Sequence, residues 1–337
     1  MANIPAFWCP IEPALNPAVD FAEEKASAWS RSFGMDPRYA ETAQPARFTS
    51  YFTPTAEPDL LVLASSFHYW GFSFDDHIDH APARSISRLL VNTQRALDIP
   101  EPRFAPTPMA EALQDLGNRL RQKASPSQAR RVIEAHKTWL FGEAWRVSNQ
   151  DNHRIPSLDE YLSIRTQDTG GEHVFQLVVV AEELRIPDDE ISSLPLRALI
   201  ESATLVAALD NDRHSFLKEY EEDRHAQHLF SVIRHQLKID LDEAIILGCS
   251  IRDRIMSQCL KIREMVMSSG SSDAKKFAEL VGLGIRGNIE WAASCGRYKS
   301  MEALAGITEI CLDSTPKPVE GAPSIAWWWS SLDSLGA

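Results

Sequence analysis

The chain has 337 residues, of which 44% are hydrophobic and 24% charged, so it is long enough to bury a large core. Its 47 acidic and 34 basic residues give a net charge of −13. This charge argues against a nucleic-acid partner and against docking on an anionic membrane surface. An acidic protein that binds an anionic substrate would need cations between the two.

The five cysteines form no C-x-x-C pair, so the sequence predicts neither a disulfide framework nor a zinc site. The first residues have no positively charged segment and no long apolar core, which argues against a signal peptide. No run of about 18 apolar residues is present to span a bilayer. We therefore expect a cytoplasmic protein.

Helical periodicity runs through most of the chain, and no segment has convincing strand alternation. The predicted helices cover about 17–33, 38–49, 58–79, 84–98, 109–124, 126–149, 157–185 with one interruption, 188–209 continuing into the Asn211 segment, 225–238, 240–268 and 274–296. These elements predict an all-α, single-domain helical bundle. Its expected divisions are an N-terminal arm at 1–16, the helical domain at 17–300, and a tail at 301–337 that is a lid or is partly disordered.

Two short sequences interrupt the helical pattern. Thr169-Gly170-Gly171 places adjacent glycines inside a helix, at a cost of about 1 kcal/mol each relative to alanine. Either close helix packing or a kink that presents backbone groups to a cavity would explain them. Near the C-terminus, Trp327-Trp328-Trp329 is compatible with an anchor onto the body, a dimer contact or a mobile tail.

Two helical segments carry faces lined with oxygen donors. Asn211, Ser215 and Glu219 lie at i, i+4 and i+8 and therefore share one face of a helix, and Asp75 and Asp79 are also four apart. A donor set made only of oxygen suits a hard cation such as Mg²⁺ better than zinc. The alternative is that each segment is a charged, solvated helix face.

These segments together resemble one family. D75-D-H-I-D79 resembles the DDxxD motif of class I terpene synthases, and N211-D-x-x-S-x-x-K-E219 resembles their NSE-type motif over its full length. Arg165 stands 46 residues before Asn211, where the family has its diphosphate-sensing arginine. The remaining matches are Asp168 and Thr169, at the linker and effector positions, and the late pair Arg297-Tyr298. The resemblance covers about residues 5–300 and is closest to the bacterial single-domain enzymes, which implies a helical bundle around a central active-site cavity.

The resemblance implies three Mg²⁺ ions, for which Mn²⁺ can substitute. Asp75 would bridge two ions, and Asn211, Ser215 and Glu219 would hold the third. Asp76 and Asp79 are further candidate ligands, expected to pair with arginine instead of metal. The expected diphosphate donors are Arg165, Lys218, Arg297 and the Tyr298 hydroxyl.

The implied reaction ionises a linear prenyl diphosphate and cyclises the carbocation. The resemblance favours farnesyl diphosphate and a sesquiterpene hydrocarbon or alcohol as product. The cation needs an apolar wall of aromatic rings, for which Phe72 and Trp291 are the candidates, with a lesser one in Phe74. The carbonyl of Thr169 at the helix break could present a dipole to the cation. Core packing is the alternative role for each aromatic residue.

Other functions remain as alternatives. The first is a diterpene synthase acting on geranylgeranyl diphosphate, and another is a chain-elongating prenyl transferase, which would need a second Asp-rich motif. A helical metal-dependent phosphohydrolase would use His68, His77, His80 and Asp76, and a catalytically silent binding protein would use no metal site. The expected assembly is a monomer or homodimer, with no nucleic-acid or membrane partner.

Overall fold

The computed structural model describes residues 4–79, 81–221, 227–298 and 306–333, with the side chains of 217–221 and 331–333 left out of the description. Helices account for most of these residues, as the sequence predicted. They are α1 (Val19–Ser32), α2 (Tyr39–Thr42), α3 (Pro45–Phe52), α4 (Pro58–Asp79), α5 (Ala83–Asp98), α6 (Pro108–Lys123), α7 (Pro126–Asp151), α8 (Leu158–Asp168), α9 (Gly171–Ala181), α10 (Asp188–Ile191), α11 (Leu194–Glu221), α12 (Leu229–Leu237), α13 (Leu241–Ser269), α14 (Ser272–Ser294) and α15 (Trp327–Asp333). The chain folds as a single helical domain, and no helix in the described ranges combines the length and apolarity needed to cross a bilayer.

Two long helices carry the oxygen-donor segments. Helix α4 is buried along most of its length and packs against α1, α3, α6 and α9. Helix α11 packs against α8, α9, α13 and α14. Because α9 contacts both, it brings the two segments to the same part of the bundle.

Three predicted helices have different bounds in the structure. The single helix expected at 38–49 is two, because Pro45 begins α3 and the preceding residue, Gln44, has a left-handed backbone with φ of 48°. The helix expected from 188 is interrupted between Ile191 and Leu194, so α10 and α11 are separate. The helix expected to begin at 225 begins at Leu229 in the structure, with His228 as its N-cap.

The predicted break near Thr169 is confirmed, with α8 ending at Asp168 and α9 beginning at Gly171. Gly170 has φ of +66°, a conformation that glycine adopts at little cost. A Cβ on Gly171 would lie 2.5 Å from the Thr204 side chain. Both explanations therefore hold: the glycines allow close packing, and the break adjoins the cavity described below.

Two described segments, one near each end of the chain, pair with each other. Strand β1 (Phe7–Trp8) pairs in parallel with β2 (Ile307–Thr308), a contact that the helical periodicity did not predict. Trp328 is fully buried, and its Nε1 donates to Glu201 Oε2 at 2.7 Å. Of the three explanations for the tryptophan cluster, the structure supports an anchor onto the body. The domain limits at 16 and 300 stay predictions.

Candidate active site

A cavity of about 1160 Å³ opens among α4, α7, α8, α9, α11 and α14. Twelve of the fourteen site residues predicted from the sequence line it: Phe72, Asp75, Asp76, Asp79, Arg165, Asp168, Thr169, Asn211, Ser215, Trp291, Arg297 and Tyr298. The other two, Lys218 and Glu219, lie on α11, but their side chains are outside the described residues. The fold therefore brings together residues that are up to 226 positions apart.

Acidic residues at the end of α4 form one wall of the cavity. Asp75 Oδ2 lies 3.4 Å from Arg297 Nη2, and burial raises the pKa of Asp75 while Arg146 and Arg297 oppose this shift. Asp76 lies 3.1 Å from Arg297 and also accepts a hydrogen bond from Tyr39. Asp79 forms an ion pair of 3.0 Å with Arg146. Asp76 and Asp79 thus pair with arginines, as expected from the sequence.

Helix α11 supplies a second wall. Asn211 and Ser215 are partly exposed to the cavity and lie one helical turn apart. Asn288 of α14, itself buried, donates from Nδ2 to Asn211 Oδ1 at 3.1 Å and to the Ala207 carbonyl at 3.3 Å. This contact fixes the amide of Asn211 with one oxygen lone pair still available.

Arg165 is held by carboxylates on both sides. Its Nη1 donates to Asp168 Oδ1 and its Nη2 donates to Asp212 Oδ1, each at 2.9 Å. Tyr161 also donates to Asp212. Asp212, which follows Asn211 in the metal motif, is therefore a counter-ion of Arg165.

Aromatic rings line the cavity beside the acidic wall. Phe72 and Trp291 stack with centroids 5.6 Å apart and planes 3° from parallel, and Phe48 meets both rings edge-on. Tyr298 packs edge-on to Trp291 with centroids 6.1 Å apart. Phe74 packs instead among Trp70 and Trp139 in the core and does not line the cavity. The rings of Phe72 and Trp291 therefore form the π-rich surface.

The sequence did not reveal several polar residues of the cavity. Glu143 and Arg146 on α7 form a buried pair of 2.7 Å, and Trp139 Nε1 donates to Glu143 at 3.2 Å. Burial raises the pKa of Glu143 to about 8, with Arg146 opposing the shift. A charged pair spaced i, i+3 on a helix with a buried face was the available signal, since such groups need partners in the interior. Asn288 carried no such signal.

The donor set of this cavity fits a hard divalent cation. Asp75, Asn211 and Ser215 offer only oxygen atoms. In the part of the chain that the structure describes, no three His, Cys, Asp or Glu side chains converge on one point. A site built on Asn and Ser from one helix and Asp from another is outside that class of cluster. Metal held here would therefore be shared between the two walls.

Comparisons with known proteins identify the family of the chain. A family model described as terpene synthase family 2, C-terminal metal binding, matches residues 66–257. Tsukubadiene synthase of Streptomyces tsukubensis is 35% identical over 98% of this chain and the whole of that protein. Spiroviolene synthase of Streptomyces violens is 32% identical over 97% of this chain and 96% of that protein. The crystal structure of SVS_A2, a protein from ancestral sequence reconstruction, superposes with a TM-score of 0.89 at 35% identity, covering 98% of this chain and 99% of that one. The relatives include an enzyme described as a diterpene cyclase and one described as cyclising farnesyl diphosphate.

Proposed function

The chain belongs to the terpene synthase family and is a class I terpene cyclase; we propose that it ionises a linear prenyl diphosphate with divalent cations and cyclises the resulting carbocation. One observation carries this proposal. Asp75 of α4 and Asn211 and Ser215 of α11 line one cavity with two arginines and a stacked aromatic pair. Oxygen donors that hold divalent cations, together with the arginines, would neutralise the diphosphate leaving group. The aromatic rings would stabilise the carbocation that remains.

We assign the metal to Mg²⁺, three ions in all, with Mn²⁺ able to substitute. Asp75, Asn211 and Ser215 would hold it, joined by Glu219 on the strength of the motif. When bound, Mg²⁺ neutralises the charge that builds on the departing diphosphate. The chelating oxygens of Asn211 and Ser215 need no deprotonation, so they remain competent at neutral pH.

We assign diphosphate binding to Arg165, Arg297, Lys218 and the Tyr298 hydroxyl. The two arginines lie against carboxylates, Arg165 against Asp212 and Arg297 against Asp76. These pairs hold each guanidinium at the wall of the cavity, where its planar fork of donors would bind diphosphate oxygens when the substrate enters.

The carbocation would then lie against Phe72 and Trp291, whose ring faces stabilise positive charge without reacting. We assign Asp168 the role of connecting Arg165 to the helix break, because it accepts a hydrogen bond from Arg165 and is the last residue of α8. The Thr169 carbonyl lies at that break and would present its dipole to the cation. Exclusion of water from this part of the cavity protects the cation from early quenching.

The cavity volume bears on the length of the substrate. About 1160 Å³ exceeds the roughly 300–1,000 Å³ of ordinary small-molecule pockets. This space supports a twenty-carbon substrate, geranylgeranyl diphosphate, ahead of the fifteen-carbon farnesyl diphosphate favoured by the sequence. The relatives include enzymes described for both classes, so both lengths belong in the assay.

The test is incubation of the protein with Mg²⁺ and, separately, geranyl, farnesyl and geranylgeranyl diphosphate. Gas chromatography with mass spectrometry identifies the products, and a coupled assay follows diphosphate release. We expect a cyclic hydrocarbon or alcohol, a requirement for Mg²⁺ and loss of turnover in Asn211→Leu. The exposed Asn92→Leu is the matched control. Absence of cyclic product from all three substrates would overturn the proposal.

The same assay distinguishes a phosphohydrolase, which would release only the acyclic prenyl alcohol. Its proposed ligands do not assemble: His68 is buried and bonded to Thr49, and His77 is exposed away from the cavity. His80 lies outside the described residues.

A further inference from the structure

Three histidines from three helices line the cavity away from its acidic end. They are His68 on α4, His136 on α7 and His173 on α9. His68 precedes Asp75 by seven residues and His136 precedes Arg146 by ten, which places each about 10–15 Å farther along its helix. Helices α4 and α7 run in the same direction here, because Trp70 contacts His136 at one level and Asp79 pairs with Arg146 farther along both helices. The histidines therefore lie at the depth where the hydrocarbon chain of the substrate would fold.

The hydrogen-bond network assigns the tautomer of His68. Its Nδ1 lies 2.7 Å from Thr49 Oγ1. The hydroxyl proton of Thr49 is already donated to the Pro45 carbonyl at 2.8 Å, so the hydroxyl oxygen must accept from Nδ1. The proton is thus on Nδ1, and Nε2 carries a bare lone pair.

His136 has the same tautomer for a different reason. Its Nδ1 lies 2.8 Å from Gln94 Oε1. The amide nitrogen of Gln94 donates to Asp98 Oδ1 at 2.8 Å and to the Ile133 carbonyl at 3.3 Å, so the amide orientation is fixed with oxygen toward the histidine. An amide oxygen only accepts, and His136 must donate from Nδ1.

His173 completes the pattern, because its Nδ1 lies 3.1 Å from the Val132 carbonyl, which also only accepts. Each of the three rings therefore donates the proton on its Nδ1 to a neighbouring protein oxygen, and its Nε2 carries an unprotonated lone pair. Nε2 of His68 and of His136 is covered and lacks a partner among the described residues, whereas Nε2 of His173 is not covered. A buried acceptor without a donor costs about 1–3 kcal/mol, so Nε2 of His68 and of His136 call for an explanation, and His173 is the histidine whose Nε2 is open to contact.

The three imidazoles stay uncharged at neutral pH. Burial lowers the pKa of His68 to about 3 and that of His173 to about 4, and it holds the pKa of His136 well below its usual range. The ring centroid of His173 lies 5.4 Å from that of His136, and a proton on His173 would lower the pKa of both His68 and His136 further. The three do not converge tightly enough to share a metal ion. The three histidines have in common an uncharged imidazole with an unprotonated Nε2.

We propose that His173 is the proton acceptor that ends the cyclisation. This inference rests on the proposed function and adds a catalytic residue to it. A C–H bond next to the cationic carbon breaks, its electron pair forms the C=C bond of the product, and the proton binds Nε2 of His173. The imidazolium then returns its proton to water when the product leaves. Because that imidazolium is buried, it is acidic and gives up the proton readily.

Two variants at the same position separate proton acceptance from cavity shape. His173→Phe keeps the ring and removes the lone pair, whereas His173→Gln changes the shape and keeps an oxygen acceptor. Removal of a positioned base slows proton transfer by about 100-fold. We therefore expect the main product of His173→Phe to fall by about tenfold or more in share, replaced by other alkenes or alcohols. His173→Gln should retain more of the wild-type product.

The measurement is diphosphate release together with the product profile, with His235→Phe, exposed on α12 and away from the cavity, as matched control. Release by His173→Phe within about twofold of wild type shows that folding and ionisation are intact, since only the last step loses its base. An unchanged product profile, or a profile in which Phe preserves the wild-type product better than Gln, would overturn the inference. If His173→Phe does not fold, His173→Leu replaces it in the comparison with Gln. Failure of the proposed function is a separate result, because wild type itself would then yield no cyclic product.

Discussion

Arg165 and Asp212 join α8 to α11 through an ion pair of 2.9 Å, directly beside Asn211. Asp212 is buried and also bonded by Tyr161, so its position is fixed. The arginine assigned to the diphosphate is therefore physically connected to the helix that carries the assigned metal ligands. A diphosphate bound to Arg165 would also affect Asp168, which accepts a hydrogen bond from Arg165 and is the last residue of α8 before the break.

Arg165→Lys tests this connection. A lysine ammonium can bond Asp168 or Asp212 but cannot reproduce the planar fork that reaches both and still faces the cavity. We expect turnover to fall by about 100-fold, while unfolding in urea loses only about 1–3 kcal/mol. Arg254→Lys is the control, because Arg254 also makes several bonds, to Asp313 and the Pro318 carbonyl, but lies away from the cavity. Loss of stability in proportion to activity would make Arg165 a structural residue.

Asn288→Leu tests whether Asn288 positions Asn211. Without the donor Nδ2, the Asn211 amide can rotate away from the metal. Loss of such a supporting contact costs about 10–100-fold in metal affinity. We expect the Mg²⁺ concentration for half-maximal rate to rise by about tenfold, with a smaller change in kcat at saturating Mg²⁺. Gln258→Leu on α13 is the control, since it also removes a buried amide. An unchanged Mg²⁺ requirement would remove Asn288 from the site.

Stability should depend on pH through His173. Its pKa is about 4 in the folded protein and about 6.5 when unfolded, so the unfolded chain binds the extra proton between these values. Stability is therefore lost as pH falls from about 6.5 to about 4. Between pH 7 and pH 5 this amounts to about 2 kcal/mol for one histidine. Urea unfolding of His173→Phe should lose that much less than wild type over the same interval, while the exposed His235→Phe should follow wild type. Equal losses in His173→Phe and wild type would contradict the prediction.

Trp328→Ala tests whether the tail is an anchor. The side chain is fully buried and donates to Glu201, so truncation leaves a cavity and removes one hydrogen bond from the Glu201 carboxylate. We expect a loss of about 3–5 kcal/mol in the free energy of unfolding. Trp327→Ala, at the half-buried neighbour, should cost less. Similar values for the two variants would mean that the tail does not depend on Trp328 for its attachment.

Local patterns in the sequence were sufficient to predict the helices and the faces they carry. Helix α4 has the predicted bounds, the break at Thr169 is present, and the i, i+4 spacing of Asn211 and Ser215 places both at the cavity. These features depend on contacts within a few residues, which helical geometry fixes. The prediction of one continuous helix across Pro45 and another across Leu194 was wrong, because the helical periodicity continues on both sides of residues that interrupt the helix.

Residue types and spacing alone also determined the family and the oxygen character of the site. Only the tertiary structure decided which residues meet: that Asn288 bonds Asn211, that Asp212 pairs with Arg165, and that three histidines from three helices line one cavity. Each of these contacts joins positions some 37 to 105 residues apart in the chain. Such contacts arise when the apolar faces of separate helices are buried together. The helical periodicity of one segment does not indicate which other segment it will pack against.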